Sequence, residues 1–434
     1  MARCLADPGE YAPELVKLLR SARHTVYYSS FTTHLDVQLP NCNVTLGMLF
    51  DELQARQVQL YILYNPEPAY GNLPPAEFQA RVPRAHVKCV EGSGMLPQVA
   101  SLVVNNLRYS NHHQKYVCVD GLYFMLGGTD VTSERTPWLG LNKDGYTWHE
   151  VAVVVPCTPR MYQFVQLNFQ HIVENPPFPL TKGLQEYELL LQLIRRARTC
   201  VHIEAQTCIS AGATYNQVFD VVMQRVAQAY GSQSRGQPDA FCFMLLTNLQ
   251  QVDESRVISW VTSQQVQWSR RYLRQRAVDY GVPAEFVKQR VFVGTLEQQD
   301  GTHIKVHSNL VIQDGRRLLR TSSNFNDRSM SALPSDNELG IVLQGDVVAR
   351  LQQRLWRRYF CVPDHVDKMF RPAEAFTLMS GGAGLVRPVT FRKDTDETLV
   401  PDWLVNPLMR LLHTGPWFGG KTEVQWELVS AHKD

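Results

Sequence analysis

Residues 111–130 read NHHQKYVCVDGLYFMLGGTD, and the fold follows from how this stretch is parsed. Period-two alternation puts His113, Lys115, Val117 and Val119 on one side of an extended chain and Tyr116 and Cys118 on the other. Asp120-Gly121 then reads as a turn and 122–126 as a second strand, so the spacing predicts a β-hairpin. One face of that hairpin carries an imidazole and an ammonium two residues apart, about 6 to 7 Å at the rise of a strand. A near copy stands at 307–326, HSNLVIQDGRRLLRTSSNFN, with His307 offset from His113 by 194 residues.

The duplication extends outward. ELVKLLRSAR at 14–23, a helical pattern leading into the strand-like HTVYYSSF, matches LLLQLIRRARTCVHIEAQ at 189–206 at an offset of 175 residues. The first half continues with a predicted helix near 45–56, a strand at 58–64, a Pro/Gly-rich loop at 65–75 and a strand near 86–90. The second half offers a helix near 216–229 and strands at 241–246 and 291–294. It has gained about 19 residues before its histidine strand, partly in a polar loop at 231–239 and partly between 247 and 302. There 254–277 reads as a helix bearing Trp260, Trp268, Arg270, Arg271 and Arg274, either a solvated cover or a basic wall of a cleft. Beyond the histidines, TWHEVAVVVP at 147–156 and SDNELGIVLQ at 335–344 each place a carboxylate, Glu150 and Glu338, just ahead of an apolar strand. A helix follows each, at 160–174 and 347–359. This alternation predicts an α/β protein of two pseudo-symmetric lobes, 1–180 and 181–360, each a largely parallel sheet flanked by helices, packed face to face. The tail, 361–434, has no repeat partner and is expected to pack on the lobes; its apolar stretches 403–412 and 416–419 either do so or touch a bilayer.

With 434 residues, 44% of them hydrophobic, the chain has room for a large core. Lys plus Arg number 43 against 41 for Asp plus Glu, so no overall basic field advertises nucleic acid, although a local basic cleft is compatible with that balance. Neither a signal-peptide pattern nor an 18-residue apolar run is present, so we expect a cytosolic chain that meets membranes only peripherally. The first repeat begins almost at once, which leaves recruitment to the lobes or to a partner. The nine cysteines are scattered without a CxxC pair, which points to free buried thiols and neither a disulfide framework nor a zinc site.

Two histidines, a cation at each and an acid near each suit phosphate-ester transfer. That reaction needs a nucleophile, positive charge for the phosphoryl oxygens and an acid for the leaving group. One imidazole can attack phosphorus while the other protonates the leaving alcohol, with no metal or cofactor required. Glu150 and Glu338 are placed to fix the imidazole tautomers. Asn324, with Thr129 or Ser322, can donate to phosphoryl oxygens.

His113-x-Lys115-x4-Asp120 is similar to the HxKxxxxD motif of the phospholipase D superfamily, and its surroundings resemble the eukaryotic-type branch. GGTD at 127–130 and Trp148-His149-Glu150 look like that branch's flanks in the first half. Ile203-Glu204-Ala205-Gln206, VHSNLVIQD, SSNFNDRSM and LWRRYF look like them in the second. The likeness runs from about residue 14 to 360. It implies a bilobal fold with one active site at the seam and a phosphohistidine intermediate. Hydrolysis of a glycerophospholipid at a membrane surface follows, or transfer of its phosphatidyl group to an alcohol. It also implies catalytic roles for His113, Lys115, Asp120, Glu150, His307, Asn309, Asp314 and Glu338, the histidines sharing nucleophile and acid in an order left open. Substrate contacts fall to Thr129, Asp130, Lys305, Ser322 and Asn324. Trp148 is read as packing or headgroup contact, and Glu204 and Gln206 as cleft rim or strand ends.

The chain departs from the family at two points: Asn309 stands where the family has Lys, and Thr321 where its GSxN begins with Gly. Losing the lysine deletes a full charge beside the phosphate. Lys305, two residues before His307 and on a face with His303, is either a substitute ammonium or a solvated lysine at a strand entrance. Three functions therefore compete: a phospholipase D-type phosphodiesterase, a nuclease of the same superfamily, and a catalytically impaired lipid- or partner-binding protein.

Overall fold

The computed structural model describes residues 2–6, 8–66, 71–89, 112–127, 130–132, 147–174, 184–210, 216–237, 239–248, 269–326, 329–330, 336–363 and 365–389. The first half runs β1 (Arg3–Leu5), α1 (Pro8–Ser21), β2 (Thr25–Ser30), α2 (Leu46–Ala55), β3 (Gln59–Tyr64), α3 (Pro75–Arg81) and β4 (His86–Cys89). A hairpin of β5 (Tyr116–Val119) and β6 (Tyr123–Leu126) follows, then β7 (Thr147–His149), β8 (Ala152–Pro156) and α4 (Pro159–Glu174). The second half runs α5 (Leu184–Arg196), β9 (Cys200–Ala205), α6 (Val218–Ser234), β10 (Cys242–Thr247), α7 (269–279), α8 (Ala284–Lys288), β11 (Val291–Glu297) and β12 (His303–Val306). The second hairpin, β13 (Leu310–Gln313) and β14 (Arg317–Thr321), leads to β15 (Gly340–Gln344), α9 (Asp346–Tyr359), α10 (Pro372–Ser380) and β16 (Val386–Pro388).

Local sequence accounts for these elements. Leu15, Leu18 and Leu19 form the buried stripe of α1, and the Thr45 side chain caps α2 by accepting from the Met48 amide at 3.1 Å. Both hairpins turn on Asp-Gly with φ of 53° and 64° at the pair, the left-handed geometry that this dipeptide tolerates best. Helix α6 runs through Ser234, so part of the segment expected as polar loop is helical.

One sheet has the order β1-β8-β6-β5-β2-β3-β4; the other runs β15-β14-β13-β9-β10-β11-β12-β7, with β16 on β11. The six-strand path β8-β6-β5-β2-β3-β4 is repeated as β15-β14-β13-β9-β10-β11, which is the internal repeat in space. The sheets are mixed rather than largely parallel. β2-β3-β4 and β9-β10-β11 pair parallel, but the hairpins and their neighbours are antiparallel, as a tight turn dictates. β7 leaves its own half and pairs parallel with β12, Trp148 against Lys305. The 147–156 segment is therefore two strands in two different sheets.

Strand alternation feeds separate cores. Tyr116 and Cys118 of β5, Leu310 and Ile312 of β13, and Trp356 of α9 enter one cluster that draws on both sheets. Val117 and Val119 face α1 and α2, and Val311 faces α5 and α6. Each fully buried Leu, Val or Phe contributes about 1.5–3 kcal/mol by leaving water. That shared cluster joins the lobes. Of the tail, α10 and β16 pack on the second sheet, while 403–412 and 416–419 lie outside the described residues, as do Trp260 and Trp268. Among the described residues no helix is long and apolar enough to cross a membrane. The cysteines are free thiols.

Candidate functional site

Both motif histidines precede their strands instead of lying within them: β5 begins at Tyr116 and β13 at Leu310. Each is held by backbone from the opposite half. The His113 amide donates to the Asn337 carbonyl at 3.0 Å and the His307 amide to the His149 carbonyl at 2.9 Å. The next residue after each of those carbonyls supplies the carboxylate. His113 Nδ1 lies 2.9 Å from Glu338 Oε2, and His307 Nδ1 lies 2.5 Å from Glu150 Oε1. The two pairs are thus crossed, each half lending its glutamate to the other's imidazole. Committing Nδ1 to a carboxylate orients the ring and hands the chemistry to Nε2.

Around His113, the Phe31 ring packs edge-on at 5.4 Å. The Lys115 ammonium donates to the His113 carbonyl at 3.0 Å and stands 3.9 Å from Asp130. Asp130, expected to meet substrate, is fully buried and accepts from Ser30 Oγ and the amides of Phe31 and Thr32. Its place is behind Lys115. Thr129 lies outside the described residues.

Around His307 the neighbours differ. Asn309 sits at φ 42°, where asparagine is tolerated and most residues are not. Its Oδ1 accepts from the Gln206 amide at 2.9 Å, and its Nδ2 donates to Asn324 Oδ1 at 3.2 Å. At the 194-residue offset, Asn309 and Asn324 correspond to Lys115 and Asp130. An ion pair in the first half is an amide pair in the second. Ser322, read as a phosphoryl donor, gives its hydroxyl to Glu338 at 2.6 Å. Lys305 is not solvated: it is 1% exposed, with its ammonium 4.5 Å from the centroid of Trp148, and the same indole lies 5.1 Å from the His307 ring. Burial and the Lys305 charge together hold His303 below its ordinary value.

Asp120 and Asp314, read as catalytic, stand at the far ends of their strands from the histidines. Asp120 accepts from the amides of Arg23, His24 and Thr25 at 2.7–2.8 Å, and Asp314 from those of Arg198, Thr199 and Cys200 at 2.7–3.1 Å. These carboxylates tie each hairpin turn to the helix-strand connection before β2 or β9. Glu204, read as cleft rim or strand end, is fully buried, bonded to His149 at 2.8 Å and to the Tyr359 hydroxyl. Burial pushes its carboxyl up, but His149, His202 and Tyr359 outweigh burial and hold it below the ordinary range. Of the basic residues expected on the 254–277 helix, Arg270 is buried in α7.

Several supporting residues escaped the motif reading. Gln114 donates to the Asn337 side chain and, at 3.3 Å, to the Glu338 carbonyl. His112 bonds Ser29 at 2.7 Å, and burial, with the Lys115 and His113 charges, pushes it down to about 3, so it stays neutral. Glu186 accepts the hydroxyls of Thr321 and Ser323; a Cβ on Gly340 would come within 2.7 Å of its Oε1, so the glycine makes room for it. Burial raises Glu186 to about 7. The sequence signal for these was the hydroxyl run 321–323, where alternate residues face opposite ways.

No family model matches this chain, and no curated protein matches it. Among solved structures, phosphatidylserine synthase from Haemophilus influenzae Rd KW20 is similar with a TM-score of 0.52 at 12% identity, over 95% of this chain and 91% of that one. Polyphosphate kinase from Porphyromonas gingivalis gives a TM-score of 0.46 at 9% identity, over 88% of this chain and 55% of that one. The likeness to the synthase is one of fold.

Proposed function

We propose that this chain is a phosphodiesterase of the phospholipase D type, cleaving glycerophospholipids or transferring their phosphatidyl group through a phosphohistidine. The observation that carries this reading is the crossed pairing of His113 with Glu338 and of His307 with Glu150. Nε2 of one imidazole attacks phosphorus, forming a P–N bond as the P–O bond to the headgroup breaks. The other imidazolium gives its proton to the departing alkoxide. That second imidazole then takes a proton from water or an alcohol, whose oxygen displaces the histidine and releases phosphatidic acid or a phosphatidylalcohol. Lys115 is the motif cation for the phosphoryl oxygens.

The test is choline release from phosphatidylcholine vesicles, together with phosphatidylalcohol formation when a primary alcohol is added. Both products are expected, and both should vanish in His113→Ala and His307→Ala. A second reading, an impaired lipid-binding protein, is favoured by the neutral Asn309–Asn324 pair. Vesicle binding without choline release, unchanged by His113→Ala, would establish it. Metal-independent cleavage of single-stranded DNA or RNA would replace the lipid with a nucleic acid.

A further inference from the structure

The two hairpins differ at a position no motif covers. Leu126 of β6 is fully buried between Tyr116 and Val153; the residue 194 further on, Arg320 of β14, pairs in the same way with Leu310 and Ile341. Arg320 is also fully buried. A guanidinium in place of leucine within a sheet-to-sheet core is costly unless its partners are specific, and here they converge on the His307 side of the seam. Nε donates to the Val151 carbonyl at 2.6 Å, directly after Glu150. Nη2 stands 3.9 Å from Glu150 Oε2, while Glu150 Oε1 holds His307. Nη1 donates to the Asn309 carbonyl at 3.3 Å and to the Thr321 carbonyl.

We propose that Arg320 is a positioning residue for His307: it clamps Glu150 and the Asn309 backbone from behind, so the second lobe keeps a cation at its imidazole although the motif lysine is absent. This rests on the phosphodiesterase reading for its consequence in turnover, but not for its effect on the imidazole. On the other side of the seam Glu338 accepts the Ser322 hydroxyl at 2.6 Å, and the residue in the place of Arg320 is Leu126. Among the described residues, the charged and titratable groups facing this assembly include Glu150, Glu186, Glu204 and Tyr11 around Arg320, and Glu150 and the Trp148–Lys305 pair around His307. Burial pulls Arg320 down to about 10, opposed first by Glu150, so it is a full cation at neutral pH.

Removing that cation takes positive charge away from Glu150 and strengthens its hold on the protonated imidazole. The experiment is a pH titration of the His307 ring by NMR in histidine-labelled full-length protein, assigned with His307→Gln, alongside the pH profile of choline release. In Arg320→Met the His307 titration should move up by about one pH unit, and one limb of the kcat profile should move with it. Arg320→Lys, which keeps the charge and the fold, should stay within a third of that shift. A titration unmoved in Arg320→Met, or an equal shift in Arg320→Lys and Arg320→Met, overturns the proposal. If Arg320→Met does not fold, the NMR titration of Arg320→Lys against its Glu150→Gln double variant decides. The double variant should titrate at least one unit lower, and no difference overturns the clamp. A wild-type chain that turns over no lipid defeats the phosphodiesterase reading while the NMR result still decides Arg320.

Discussion

The two histidine elements share a backbone and differ in charge. In the first, Lys115 faces Asp130 and Leu126 fills the core behind. In the second, Asn309 faces Asn324 and Arg320 takes the leucine's place. The same hairpin, the same Asp-Gly turn and the same crossed glutamate therefore carry a cation two residues after the histidine in one lobe and behind the glutamate in the other. The difference teaches that the repeat conserves geometry, enforced by strand pairing, more tightly than it conserves where the charge sits. Glu186 adds to the asymmetry. Its counterpart at the 175-residue offset is Tyr11, and the glycine that admits it, Gly340, has Ala152 as its counterpart at the 188-residue offset between Glu150 and Glu338.

The contrast is testable, beginning with what the lobes share. His113→Ala and His307→Ala should each lower kcat/KM for choline release by about 10⁴-fold or more, since the pair acts as a unit. A loss under tenfold for either one would mean that a single lobe does the chemistry. Next, Lys115→Asn copies the second lobe into the first and should cost about 100- to 1000-fold in kcat, the scale of one lost transition-state donor. A smaller loss shows that the first cation is as dispensable as the second. The reverse change, Asn309→Lys, puts a lysine at φ 42°. It should lower the unfolding free energy by about 1–2 kcal/mol in a urea titration, and no loss would mean that the backbone there relaxes.

The smallest effect concerns pH. Burial lifts the Glu186 carboxyl from 4.5 to about 7 in the folded chain. Between those values the unfolded chain ionises first, so the folded state binds more protons and stability falls as pH rises through that window. Denaturant midpoints at pH 5 and pH 8 should differ less in Glu186→Gln than in the wild type. An unchanged difference would assign the slope to another group.

Much of this was readable locally. Period-two alternation, the Asp-Gly turns and the leucine stripe of α1 depend on neighbours within a few residues, so most helices, the two hairpins and the candidate histidines followed from pattern. The surroundings of the motif aspartates were not readable for the same reason: spacing locates Asp120 and Asp314 but does not say which backbone amides will surround them. Of the two readings of Lys305, burial removes the solvated one, and no local pattern shows this because its indole partner is 157 residues away in the chain.

Residue types and their repetition were enough to settle two lobes of strands and helices, with an imidazole and an acid in each, but not that the sheets are mixed. Which acid serves which imidazole could not be settled that way. It depends on β7 leaving its own sheet to pair with β12, on Asn337 meeting the segment before β5, and on Arg320 pointing into the layer between the sheets. Such contacts form only when distant parts of the chain share a core, and their energy comes from that burial and from no property of the local sequence.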